Sequence, residues 1–205
     1  QHWEVYLASQ YSHNADGTAG TAPHIEVNYG VHPNMQLHLI MPFSYSHPSG
    51  MPLQYGLGDA ELGVKYRFAQ ETATRPQVGV FPLLEVPTGD SGRGLGNGQA
   101  QMFLPVWIQK SWGKWSSYGG GGYWINPGVG NRNYWFTGWQ IQRSLTKQLS
   151  LGTELFFASP NVVGGSGRSG FNVGLVYDFN EGHHLLFSTG TDLHGDGKEI
   201  GRAHV

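Results

Sequence analysis

The side chains that could act on a solute are charged or polar and are carried at every second position. Glu26 and Asn28, then His38, then Glu61, Lys65 and Arg67 come from three successive segments, and Glu85 and Glu154 continue the series. Both signs of charge occur, so neighbours can pair. Such a group lining a passage filters solutes by size and charge. The same residues, mutually paired, would instead brace a narrow barrel, because a buried ion is costly unless partnered. Glu26, Asn28, His38, Glu61, Lys65, Arg67, Glu85 and Glu154 are therefore the candidate lumen-lining residues, with Glu4 and Asp59 on the same face.

Other constellations carry less. TGDSGRGLGNGQ is glycine-rich, but a nucleotide loop needs a helix after it and a Lys-Ser or Lys-Thr pair, and here a strand follows. It reads either as a mobile rim loop that folds inward, with Asp90 and Arg93 near the mouth, or as a plain connection between strands. His183 and His184 are adjacent and point to opposite faces of a strand. The turn His32-Pro33-Asn34 sets His24 opposite about residue 42 and His38 opposite Asn28, so these two histidines are offset and no metal site is expected. A lipid-modifying enzyme needs a nucleophile beside a histidine. Ser44, Ser46 and His47 are close in sequence near a rim, but an ordinary polar loop has the same composition. No catalytic residue, cofactor or metal is assigned.

The elements that must position these residues alternate in polarity. In DAELGVKYRF, Ala60, Leu62, Val64, Tyr66 and Phe68 fall on one face, and Asp59, Glu61, Gly63, Lys65 and Arg67 on the other. Side chains alternate across a strand, so one face is apolar and the other charged. The pattern recurs over about eleven strands: 2–12, 24–31, 35–45, 59–68, 77–86, 101–110, 115–125, 134–142, 149–157, 171–179 and 184–192. Loops are long after the odd-numbered strands and short after the even-numbered ones. Such sorting is the layout of an antiparallel transmembrane β-barrel, with lipid outside and water inside. A soluble ligand-binding β-barrel is the alternative fold. It would turn the apolar faces inward, so the facing of Glu61, Lys65 and Arg67 decides between them. Pro42, Pro82 and Pro105 interrupt strand patterns and are expected at bulges or strand ends. Trp3, Tyr11, Tyr45, Tyr55, Trp112, Trp115, Trp124, Tyr134 and Trp135 cluster at strand ends as an interfacial girdle, whereas Phe81 and Trp107 fall on the inner face.

Composition agrees. The 205 residues include 32 Gly, 7 Trp, 10 Tyr and 10 Phe, but no cysteine for a disulfide or thiolate site. No apolar run reaches the roughly 18 residues of a membrane helix. A net charge of −2 gives no support for nucleic-acid binding.

The segments PHIEVNYGVHPNMQLHL, YGLGDAELGVKYRF, GVFPLLEVPTGD, GLGNGQAQMFLPVW and YGGGGYWINPG together resemble the outer-membrane proteins of the phenol-degradation meta-pathway family, over about residues 1–195. The resemblance implies a Gram-negative outer-membrane barrel that passes small molecules, hydrophobic or aromatic ones included, by passive diffusion. Its implied partners are membrane lipid and a small-molecule solute; oligomeric state is left open. A closed structural barrel and a rim-active lipid enzyme are the other function classes. Single-chain barrels usually close with an even number of strands, so the eleven read here predict a missing twelfth. The tail Glu199–Val205, EIGRAHV, is what the short-read sequencing adapter AGATCGGAAGAGCACACGTC encodes after a G. It reads as an assembly artefact, leaving a barrel over 1–198 without its closing strand.

Overall fold

The computed structural model describes residues 2–195. The tail 199–205 lies outside the described residues. Thirteen strands form one sheet: β1 (His2–Asn14), β2 (Gly17–His32), β3 (Met35–Pro48), β4 (Gln54–Leu57), β5 (Ala60–Ala69), β6 (Gln77–Val80), β7 (Leu83–Val86), β8 (Gln101–Trp112), β9 (Trp115–Ile125), β10 (Tyr134–Ser144), β11 (Leu149–Ala158), β12 (Arg168–Asn180) and β13 (His183–His194). All pairings between them are antiparallel. β4 and β5 run end to end along β3, and β6 and β7 end to end between β5 and β8, so the thirteen segments make eleven staves in sequence order. β1 and β13 end this order, and among the described residues no ladder joins them. The turn at His32-Pro33-Asn34 gives the expected register, with His24 opposite Pro42 and Asn28 opposite His38.

Polarity is inverted relative to a soluble protein. Leu7 is 78% exposed, Leu62 46% and Phe68 57%, whereas Glu26, Asn28, His38 and Asp192 are buried. On β5 the exposed side chains are Leu62, Tyr66 and Phe68, and Glu61, Lys65 and Arg67 lie on the more sheltered face. That facing rules out the soluble alternative, since apolar surface turned outward in continuous bands needs lipid against it. Side chains on the polar face meet across an intervening strand. Gln36 reaches Glu4 over β2, and Lys65 reaches Asn28 over β3, the convergence a concave face provides.

The prolines stand where the ladder is broken. Pro82 follows Phe81 in the gap between β6 and β7, and the β8 pairing resumes in the same register beyond it. Phe81 therefore stands opposite Pro105, and Pro82 opposite Leu104, where no strand N–H is missed. Pro42 lies where β3 changes partner from β5 to β4, and its carbonyl accepts from Gly58 N at 2.8 Å.

One connection differs from the sequence expectation. The segment 13–23, expected as a long loop between the first two strands, is largely strand: β1 and β2 continue to Asn14 and Gly17 with only Ala15 and Asp16 between them, so this connection departs from the sorting of long loops after odd-numbered strands. Its residues lack apolar alternation because the hairpin tip needs no lipid-facing side. Backbone pairing carries it, helped by the Ser12 hydroxyl donating to Ala19 O at 3.0 Å, by Asn14 Oδ1 accepting from Asp16 N at 2.9 Å and by the Tyr45 hydroxyl donating to Gln10 O at 3.1 Å.

Candidate functional site: a charged wall facing inward and an aromatic wall beyond it

The charged wall is built on β2, β3 and β5. Asn28, 1% exposed, is its centre. Its Nδ2 donates to Glu26 Oε1 at 2.6 Å, while its Oδ1 lies 2.8 Å from His38 Nδ1 and accepts from Lys65 Nζ at 3.3 Å. His38 Nδ1 is also 3.2 Å from Glu26 Oε1. Phe81 covers the group: its ring meets that of His38 edge-on at 5.0 Å, and Lys65 Nζ lies 4.9 Å from its centre. Gly63 is what admits the ring, since a Cβ there would come within 2.6 Å of it.

The other candidates sit elsewhere. Arg67 does not join this group. It clamps the short turn between β2 and β3, donating to Pro33 O at 2.9 Å and to Asn34 Oδ1 at 3.1 Å, with Gln77 at 3.1 Å. Glu61 and Glu85 stand opposite one another on β5 and β7, and Glu85 accepts from Asn97 Nδ2. Glu154, on β11, accepts from Asn172 Nδ2 at 3.0 Å. His24 is buried with its Nδ1 unpartnered, and among the described residues no group of three His, Asp or Glu side chains could hold a metal ion. Ser46 lies under Gly94, whereas His47 is exposed on the alternate register. The two side chains diverge, so they make no nucleophile–base pair.

The 87–100 loop folds inward against β3 and β4. Asp59, buried at the β4–β5 junction, accepts from Gly89 N at 2.8 Å and Asn97 N at 2.5 Å. A Cβ on Gly96 would come within 2.3 Å of the same carboxylate, so the loop passes there only as glycine. Leu95 is buried beside Gly56. Asp90 caps the short turn Ser91–Arg93, and Arg93 donates to Gln54 Oε1 at 2.9 Å and Tyr55 O at 3.1 Å.

Farther along the sheet the inner face is aromatic. Phe103 stacks on Trp124 at 4.8 Å, Trp124 on Tyr134 at 5.9 Å, and Trp107 on Tyr118 at 5.2 Å, with Phe136 edge-on to Phe103 at 6.1 Å. Sequence periodicity located Trp107 here but assigned Trp124 and Tyr134 to the outer girdle. The signal that separates them is register: Phe103 pairs with Trp124 and Trp124 with Tyr134, and Phe103 is buried between the exposed Met102 and Leu104. Trp3, Tyr11, Tyr55, Trp112, Trp115 and Trp135 are exposed, as a girdle requires. The run Gly119–Gly122 lets bulky neighbours close in from both sides, since a Cβ on Gly119 would strike Trp139 and one on Gly120 would meet Val106 O within 2.1 Å.

One turn at the short-turn rim carries a pH dependence. Glu71 Oε1 accepts from Ser111 N at 2.9 Å and Lys110 Nζ at 3.2 Å, tying the β5–β6 turn to β8. The Ser111 backbone N–H, and then Lys110, hold the Glu71 carboxyl below its ordinary pKa of 4.5. A carboxylate with a depressed folded pKa adds stability above its unfolded value and loses it as pH falls through the lowered one. The protection factor of the Ser111 amide is therefore expected to fall on acidification below that range. In Glu71→Gln it should show no such step, and a flat profile in the unaltered protein would refute the tie.

Neither a protein-family model nor a curated relative matches the sequence. Solved structures match in fold. An outer membrane channel from Pseudomonas putida F1 aligns over 98% of this chain and 94% of its own, with a TM-score of 0.77 at 16% identity. The KdgM porin, solved in complex with disordered oligogalacturonate, aligns over 96% of this chain and 100% of its own, with a TM-score of 0.62 at 12% identity. At these identities the likeness establishes the fold, an antiparallel transmembrane β-barrel.

Proposed function

We propose that this chain is a passive channel for small molecules in the outer membrane of a Gram-negative bacterium, with hydrophobic or aromatic solutes among its cargo. The observation that carries the reading is the two-sided interior, a charged wall on β2, β3 and β5 followed by an aromatic wall on β8–β10. Glu26, Asn28, His38, Lys65 and Glu154 line the passage in this reading. Glu61 and Glu85 stand where the inward loop begins, and Asp90 and Arg93 form its rim. The fold shared with outer-membrane channels supports it, as does the resemblance to the phenol-degradation meta-pathway family. No reaction is assigned to the barrel; its partners are lipid and solute.

A closed structural barrel is the second reading, favoured by the internal satisfaction of Glu26, Asn28, His38 and Lys65. Planar-bilayer recording of the refolded chain, with the expected closing strand restored between β13 and β1, separates the two. Stable ohmic steps are expected, and Lys65→Gln should shift ion selectivity toward cations more than Arg67→Gln does, because Arg67 is occupied at the turn. An inserted but silent barrel would favour the structural reading.

A further inference from the structure

Toward the short-turn end, the inner face of β8–β10 holds a cavity of about 330 Å³ lined by Gln109, Ser116, Tyr118, Gln140 and Gln142. Their register brings them together: Gln109 pairs with Tyr118, Tyr118 with Gln140, and Ser116 with Gln142. Three amides and two hydroxyls thus converge from three adjacent strands, and none is charged. Their mutual bonding is slight. Gln140 Nε2 lies 3.4 Å from Gln142 Oε1, and among the described residues the Gln109 amide and the Ser116 and Tyr118 hydroxyls have no hydrogen-bond partner. Tyr118 stacks on Trp107 with an interplanar angle of 16°, setting a flat aromatic surface beside the amides. Gly152 leaves space next to Gln140, whose Nε2 would lie 3.3 Å from a Cβ placed there.

We propose that this cavity is a solute subsite for an uncharged ring compound bearing several hydroxyl groups, a neutral sugar in its simplest form. The proposal rests on the channel reading and adds a polyhydroxylated solute class to its cargo. A hydroxyl both donates and accepts, and so does a side-chain amide. The flat C–H face of a sugar ring suits an aromatic surface. A plain aromatic solute would desolvate the amides without pairing them, which is unfavourable. An acidic sugar calls for Arg or Lys, yet the charged residue paired with Gln140 on the next strand is Glu154. The volume lies within the roughly 300–1,000 Å³ of small-molecule sites.

The test is current block in planar bilayers by D-glucose, with phenol and sodium galacturonate as comparison solutes. Saturable block by glucose is expected, with Gln140→Leu and Tyr118→Phe each weakening it by about three- to tenfold, the worth of one hydrogen bond. Tyr118→Phe removes a single oxygen, so it carries the test if Gln140→Leu does not fold. Glucose block untouched by both variants, or phenol or galacturonate blocking at the same concentration, would overturn the subsite and leave the channel standing. If the barrel is silent, tryptophan fluorescence of the refolded protein replaces current. A saturable glucose response weakened in the variants then upholds the subsite while the channel reading fails; no saturable response overturns both.

Discussion

Asp59→Ala is expected to release the 87–100 loop from the inner wall, so that the chain at the already exposed Arg93 opens far enough for trypsin to cleave it. The buried carboxylate accepts two backbone N–H groups, at 2.8 and 2.5 Å, from opposite limbs of that loop. Hydrogen bonds to a charged group contribute about 1.5–3 kcal/mol each, so losing both removes on the order of 3–6 kcal/mol of local stability. Two further contacts remain, the burial of Leu95 and the Arg93 bonds to Gln54 and Tyr55, so the loop loosens without unfolding the barrel. When opening and closing are fast, cleavage follows the open population. Cleavage after Arg93 should therefore rise by at least ~100-fold, the equivalent of about 2.8 kcal/mol. Asp59→Asn keeps the shape and one acceptor oxygen and should fall between. Cleavage at the unaltered rate in Asp59→Ala would mean that Leu95 burial, not the carboxylate, holds the loop.

The barrel itself was legible because its strands are read by a period of two. Lipid on one side and a polar interior on the other force alternation over Asp59–Phe68 and its neighbours, and the eleven staves follow. The His32-Pro33-Asn34 turn fixed the pairing of Asn28 with His38. Periodicity fails where the reason for a residue is a contact far along the chain. Asp59 looks like one more inner-face acid, and nothing in its spacing reveals that Gly89 and Asn97 close on it. By sequence Trp124 and Tyr134 belong to the girdle, because an aromatic near a strand end usually faces the interface. Here they stack inward on Phe103. The run Gly119–Gly122 hid the parity of β9, since glycine has no side chain to declare a face.

Asn28→Leu should be the most destabilising change in the charged wall. The substitution keeps the approximate volume but removes an amide that is 1% exposed and contacts Glu26, His38 and Lys65 at once. Glu26 and Lys65 then each lose a hydrogen bond in a sheltered place, and an unsatisfied buried group costs about 1–3 kcal/mol, more when charged. A loss of roughly 3–5 kcal/mol follows, of the order seen when one partner of a buried pair is removed. It should appear as a lowered urea midpoint at unchanged slope, because the surface exposed on unfolding is the same. The double variant with Lys65→Met distinguishes a brace from a filter. If Asn28 and Lys65 act as one network, their effects should be non-additive by about 1 kcal/mol or more. Simple additivity would make Lys65 energetically independent of Asn28. Its ammonium would then be a free charge at the inner wall, and its removal should change ion selectivity far more than stability.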